Sequence, residues 1–237
     1  MIRSISRRQM LSLLPAAALL AACSRKKIKP PIVRVEDYEN RKGGFRPIRV
    51  ACLGDSITFG AGVEEREKNN YPKLLGDYLG DRFEVKNFGR SGATLSRTGD
   101  LPYWTTEEMK AAQAFHPDVI ILMLGTNDTK PQNWKNKKYF AGECRALIDT
   151  LRSARPKPKV WVCLPVPIYG NQWGITAETL EDGVIQALME VSNDLKAPVI
   201  DLNDSLTGHP EMFPDKIHPN AAGAALMAKV IFQAIRP

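Results

Sequence analysis

Arg49-Val50-Ala51-Cys52-Leu53-Gly54-Asp55-Ser56-Ile57-Thr58 is the stretch on which the reading of this sequence turns. An apolar run of strand character stops at a glycine, and a serine follows two residues later. A hydroxyl at the C-terminal end of a first strand lies where open α/β sheets place their ligands, provided that the rest of the chain alternates strand and helix.

It does. Strands are predicted at 48–53, 83–87, 119–124, 159–164 and 198–202, and helices at 71–79, 105–115, 137–154, 176–195 and 219–235. Val119 to Leu124 is six apolar residues in succession, the mark of a strand covered on both faces. The helices carry their apolar residues at helical spacing, as in Cys144, Leu147, Ile148 and Leu151. Residues 54–70 and 203–217 read as polar or irregular loops, and Pro219 as the first residue of the last helix. Five strands alternating with five helices predict a three-layer α/β/α sandwich around a five-stranded, mainly parallel sheet.

The chain has 237 residues, a formal charge of +7, 43% apolar and 25% charged residues. Residues 1–29 hold seven Lys and Arg and no acid. Taking those seven from the 33 basic residues leaves 26, matched by 26 acidic ones. The remainder is neutral, so the charge gives no basis for nucleic-acid binding. Arg3, Arg7 and Arg8 precede an apolar, small-residue run from Met10 to Ala22, too short to span a bilayer. It ends in Leu20-Ala21-Ala22-Cys23, which resembles a bacterial lipobox, and Ser6-Arg7-Arg8-Gln9-Met10-Leu11 resembles a twin-arginine export motif. The expected organisation is a signal peptide over 1–22, a tether over 23–46 lipidated at Cys23, and a folded domain over 47–237. That makes the protein an exported, membrane-anchored lipoprotein on the periplasmic or outer face of a cell envelope. The alternative is an ordinary secretory signal with a chance cysteine. Cys52, Cys144 and Cys163 fall in apolar runs and are expected to be buried free thiols.

A serine nucleophile needs a base, a group to orient that base, and donors for the developing oxyanion. The histidines are His116, His209 and His218. His116 precedes the third strand, at the wrong end of the sheet. His209 has no acid three residues before it. His218 follows Asp215 by three, so both side chains can point one way near the C-terminal edge of the sheet. The competing reading is that the pair only caps the last helix. Gly89 follows the second strand and can offer its N–H at close approach, or be a plain turn glycine. Asn127, after the third strand, can donate an amide to an oxyanion, or form an Asx-type turn. Together these motifs converge on one sheet edge.

Gly54-Asp55-Ser56-Ile57, Gly89, Gly125-Thr126-Asn127-Asp128 and Asp215-Lys216-Ile217-His218 resemble the four sequence blocks of the GDSL-type SGNH hydrolases, with Ile57 in place of the usual leucine. The resemblance implies a flavodoxin-like fold and a carboxylic ester hydrolase. It casts Ser56 as nucleophile, His218 as base and Asp215 as its orienting acid. The N–H groups of Ser56 and Gly89 and the side chain of Asn127 would form the oxyanion hole. No cofactor is implied. A metal site from Asp201, Asp204, His209 and Asp215 matches no known cage.

The expected substrate contacts are Asp55, Trp134, Tyr169 and Trp173. The aromatics sit in two loops at the site edge beside Asn and Gln, a combination that suits a sugar face; the alternative is that they pack the loops onto the domain. The stretch from Gly125 to Trp134 is similar to that of bacterial carbohydrate or sialate O-acetylesterases. The expected activity is hydrolysis of acyl esters, with acetylated glycans foremost. Lipid esters (a lysophospholipase or thioesterase) are the second expectation, and a non-catalytic glycan-binding lipoprotein the third.

Overall fold

The computed structural model describes residues 46–155 and 157–236. In chain order it contains β1 (Ile48–Gly54), α1 (Ser56–Phe59), α2 (Tyr71–Leu79), β2 (Phe83–Gly89), α3 (Glu107–Ala114), β3 (Val119–Met123), α4 (Phe140–Arg152), β4 (Lys159–Leu164), α5 (Gln186–Asp194), β5 (Val199–Asp201), α6 (Leu202–Leu206) and α7 (Ala221–Ile235). The strands form one sheet in the order β2-β1-β3-β4-β5, and all four pairings are parallel. The chain leaves β1 for β2 on one side and returns to β3 on the other. The C-terminal end of β1 is therefore the topological switch point, where a crevice opens between diverging connections.

Alternation along the strands divides the core in two. Ala51, Leu53, Ile120, Leu122, Val160 and Val162 face α3, α4 and α5, among them Met109, Leu147, Ile148 and Leu188. Val50, Cys52, Val119, Ile121, Trp161 and Cys163 face α2, α6 and α7, among them Leu75, Leu206, Met227 and Ile231. Both faces are covered, which gives the predicted three layers. Cys52, Cys144 and Cys163 are buried and unpaired, as expected from their apolar settings.

The structure departs from the sequence reading where local hydrogen bonds make short helices. The stretch 54–70 holds α1 and a turn of helix at Arg66–Asn69, in place of a loop. Asp55 caps α1 by accepting the Ile57 N–H at 2.9 Å. The stretch 203–217 holds most of α6, capped by the Asp201 side chain on the Asp204 N–H, and a 3-10 turn at Pro210–Met212. The long helix expected over 176–195 starts as α-helix at Ala177–Thr179, widens to a π-helical turn at Leu180–Ile185 and then becomes α5. The last helix starts after Pro219: Asn220 is its N-cap, accepting from the Gly223 N–H at 3.0 Å. Strand two runs two residues further than predicted, through Gly89, which pairs with Gly54.

Candidate active site

Ser56 is the first residue of α1, so the strand-to-helix turn lifts its hydroxyl to the C-terminal edge of the sheet. Two devices hold α1 there. Asp55 caps its start, and the Asn87 amide at the end of β2 donates to the Thr58 carbonyl at 2.8 Å. The His218 ring arrives from the turn before α7. Its Nε2 lies 2.8 Å from Ser56 Oγ and its Nδ1 lies 2.6 Å from Asp215 Oδ2. The second oxygen of Asp215 accepts from the backbone N–H groups of Ile217 at 3.0 Å and His218 at 2.7 Å. Asp215 thus shapes the turn and orients the ring together. Helix capping, the competing role for this pair, belongs to Asn220.

Burial works against the Asp215 carboxylate. Hydrogen bonds from the His218 N–H, the His218 ring and the Ile217 N–H outweigh it and hold the acid below the usual carboxylate range. An ionised Asp215 fixes the proton on Nδ1 and leaves Nε2 as the acceptor facing Ser56.

Ser56 and His218 open onto a cleft of about 250 Å³, into which Gly92, Asn127 and Lys130 also project. Ile175, Ile217 and Trp173 line another part of it. Trp173 is 62% exposed, adopts a left-handed backbone (φ 55°), and its ring centre lies 5.8 Å from that of His218. One N–H of the Asn127 amide donates to the Ala93 carbonyl at 3.1 Å, which leaves the second for the cleft. Among the described residues, neither the Ser56 N–H nor the Gly92 N–H has a hydrogen-bond partner. A hydroxyl bonded to an imidazole, with unengaged donors beside it, can attack a carbonyl and stabilise the resulting oxyanion.

Against these positions the sequence reading needs three corrections. Gly89, expected to supply an oxyanion donor, lies inside β2, and its N–H donates to Asn87 Oδ1 at 2.9 Å. It is a glycine for a different reason: a Cβ there would come within 2.1 Å of the Phe59 backbone nitrogen, so the backbone of α1 packs directly on it. The residue that reaches the cleft is Gly92, in a left-handed conformation (φ 83°) that favours glycine. The sequence signal was present in Gly89-Arg90-Ser91-Gly92; ending the strand two residues early hid it. Asp55, expected to touch substrate, is fully buried beneath α1, where desolvation, opposed chiefly by the Ile57 N–H, pushes its carboxyl up to about 6. Trp134 and Tyr169, also expected at the substrate, brace their loops instead. Trp134 packs edge-on against Phe140 at 5.4 Å. The Tyr169 hydroxyl donates to the Leu206 carbonyl at 2.8 Å and accepts from the His209 N–H, while its ring rests on Phe213.

The other histidines are elsewhere. His209 pairs with Glu211 at the surface, and His116 sits in a turn before β3, at the far end of the sheet. Among the described residues no cluster of three or more His, Cys, Asp or Glu can hold a metal ion. Cys23 lies outside the described residues.

The chain belongs to the GDSL-like lipase/acylhydrolase family, whose model matches residues 52–226. It is 38% identical over 207 residues to an acetylxylan esterase of Xylanibacter ruminicola, a match covering 80% of this chain and 43% of that protein. The chain thus spans less than half of that relative's length. Among solved structures it is similar to a carbohydrate acetylesterase from Sinorhizobium meliloti (TM-score 0.67, 23% identity, 78% of this chain and 96% of that one). It is also similar to the aryl esterase of M. smegmatis (TM-score 0.65, 23% identity, 79% of this chain and 99% of that one). At these identities the two structures bear on the fold, and they agree with the α/β/α architecture.

Proposed function

We propose that this protein is a serine esterase that removes acetyl groups from carbohydrate through an acyl-enzyme. Ser56 Oγ attacks the ester carbonyl as His218 Nε2 takes its proton, and Asp215 stabilises the imidazolium that forms. The Ser56 and Gly92 N–H groups and Asn127 Nδ2 receive the oxyanion. The imidazolium returns the proton to the departing alcohol oxygen. A water activated by His218 then hydrolyses the acyl-Ser56 ester, restoring the serine.

The observation that carries this reading is the chain Ser56 Oγ to His218 Nε2 at 2.8 Å and His218 Nδ1 to Asp215 Oδ2 at 2.6 Å, open to a cleft with unengaged donors. A short acyl group is favoured because the cleft, at about 250 Å³, is smaller than the pockets that take drug-sized ligands. The relative named as an acetylxylan esterase supports an acetylated glycan as substrate. The exposed Trp173 ring beside His218 is the group best placed to stack on a sugar ring.

Turnover of p-nitrophenyl acetate by the purified protein tests the mechanism. Ser56→Ala is expected to lose at least about a thousandfold in kcat with its melting temperature retained. Wild-type rates in that variant would remove Ser56 from the mechanism. A series of acyl esters tests the substrate: rates are expected to fall from acetyl to octanoyl, and a steep rise would instead favour a lipid esterase.

We further propose that Cys23 carries a lipid anchor, on the strength of the Leu20-Ala21-Ala22-Cys23 motif. Substituting Cys23→Ser should release the protein from the membrane fraction; unchanged membrane association would count against the anchor.

A further inference from the structure

The proposed oxyanion donors Gly92 and Asn127 come from different connections, one after β2 and one after β3. The Gly92 side has little structure of its own. From Arg90 to Leu101 the backbone is turns and bends, with a single bridge between Thr94 and Pro102. A donor on such a loop must still be placed to a fraction of an ångström.

The placing comes from the 3-10 turn at Asn127–Thr129. Asp128 is buried there and takes two successive backbone N–H groups of the loop: Leu95 on Oδ2 and Ser96 on Oδ1, each at 2.8 Å. The adjacent Asn127 amide holds the Ala93 carbonyl. Asn133 donates to the Asn127 carbonyl at 2.9 Å and to Asp100 Oδ1 at 3.0 Å, tying the far end of the loop to the same segment. The bonds to Ala93, Leu95 and Ser96 lie within four residues of Gly92 and use neighbouring side chains of one turn. A bidentate carboxylate fixes direction as well as distance, which a single neutral bond does not.

We propose that Asp128 is a positioning residue for ester hydrolysis: by holding Leu95 and Ser96 it sets the Gly92 N–H and the Asn127 amide in one fixed relation before Ser56. It touches no substrate and acts through the loop. The proposal rests on the reading of Ser56 as nucleophile.

The test is Asp128→Asn, which keeps the size and one acceptor but turns an amide N–H toward one of the two loop donors. Competent sites are counted by labelling Ser56 to completion with an organophosphonate, so that kcat is expressed per labelled site. The expected result is a fall in kcat of about tenfold to a hundredfold, with KM for p-nitrophenyl acetate changed by less than about twofold. The inhibition constant of a boronic acid, which forms a tetrahedral adduct on the serine oxygen, should rise by the same factor as kcat falls. Wild-type kcat per labelled site overturns the proposal, whatever happens to the melting temperature. If Asp128→Asn does not fold, Glu143→Gln addresses the same segment from its outer side. Glu143 Oε2 accepts from Ser96 Oγ at 2.5 Å and from the Arg97 N–H at 3.1 Å. Its kcat should fall about threefold at constant KM, and an unchanged kcat overturns the proposal. Failure of the underlying reading would look different: the wild-type protein itself would escape labelling at Ser56.

Discussion

The turn that carries His218 and the loop that carries Gly92 reach the same cleft by opposite means. The Asp215–His218 turn is self-contained: its acid and base lie three residues apart, and the acid bonds two N–H groups of its own turn. The loop after β2 is held by side chains thirty or more residues further along the chain: Asn127 on Ala93, Asp128 on Leu95 and Ser96, Glu143 on Ser96. A turn closed by its own residues is specified locally. A loop closed from outside depends on the fold to bring its partners. In the proposed mechanism the first supplies proton transfer and the second supplies charge stabilisation, so damage to each should look different.

The largest effect is expected in the turn. Asp215→Asn keeps an oxygen for the Ile217 and His218 N–H groups, so the turn should survive. Its amide nitrogen would face His218 Nδ1 and favour the tautomer with the proton on Nε2, which cannot accept from Ser56. We expect kcat to fall by about a thousandfold or more, with a modest loss of melting temperature from the missing carboxylate. A variant that loses stability but keeps kcat per folded molecule would show that Asp215 matters to the turn alone.

The next effect separates two glycines three residues apart. Gly89→Ala drives a methyl into the backbone of α1, so the protein should lose several degrees of melting temperature or fail to accumulate. At Gly92 an added Cβ meets nothing nearer than the Leu101 side chain, at 3.6 Å. The cost of Gly92→Ala is the left-handed backbone, about 1 kcal/mol, and a shifted donor. We expect kcat to fall by roughly tenfold to a hundredfold in a protein that folds. If instead Gly89→Ala folds normally and loses kcat while Gly92→Ala keeps it, Gly89 and not Gly92 supplies the donor.

The same contrast explains what could be read from the sequence. The five strands, the parallel sheet and the convergence of Ser56, Asn127 and His218 follow from apolar periodicity and from motifs at strand ends, both of them local. Asp215 and His218 were legible because their relation spans three residues. Gly92 was missed because its role depends on where β2 ends, and that is set by pairing with Gly54. Asp55 was misassigned because nothing in Gly54-Asp55-Ser56 says which polar side chain turns under the helix. Trp134 and Tyr169 could not be told from Trp173 by composition. Their partners Phe140, Leu206 and His209 are distant in sequence for Tyr169 and on a separate element for Trp134.

The smallest effect tests the electrostatic side of the comparison through stability. In the turn, Asp215 is held below the ordinary carboxylate range by its hydrogen bonds, so its ionised form stabilises the fold and that contribution is lost as pH falls through its folded pKa. Beneath the site the sign reverses. Burial pushes the carboxyl of Asp55 up to about 6 and that of Asp128 up to about 7, with the Asp55 charge adding to the latter. Between about pH 4 and these values the folded protein keeps protons that the unfolded chain has released. Stability should therefore fall as pH rises through that window, and above it the loss is complete. Asp55→Asn preserves an oxygen for the Ile57 N–H but cannot ionise. Measured by urea unfolding at pH 4, 5, 6 and 7 (about one point for each step of the window), the variant should gain on the wild type between pH 4 and 6 and hold a constant difference above it. A difference that stays flat across the series would mean that Asp55 ionises as easily in the fold as in water. The contrast between a turn that favours its carboxylate and a buried layer that disfavours its own would then be lost.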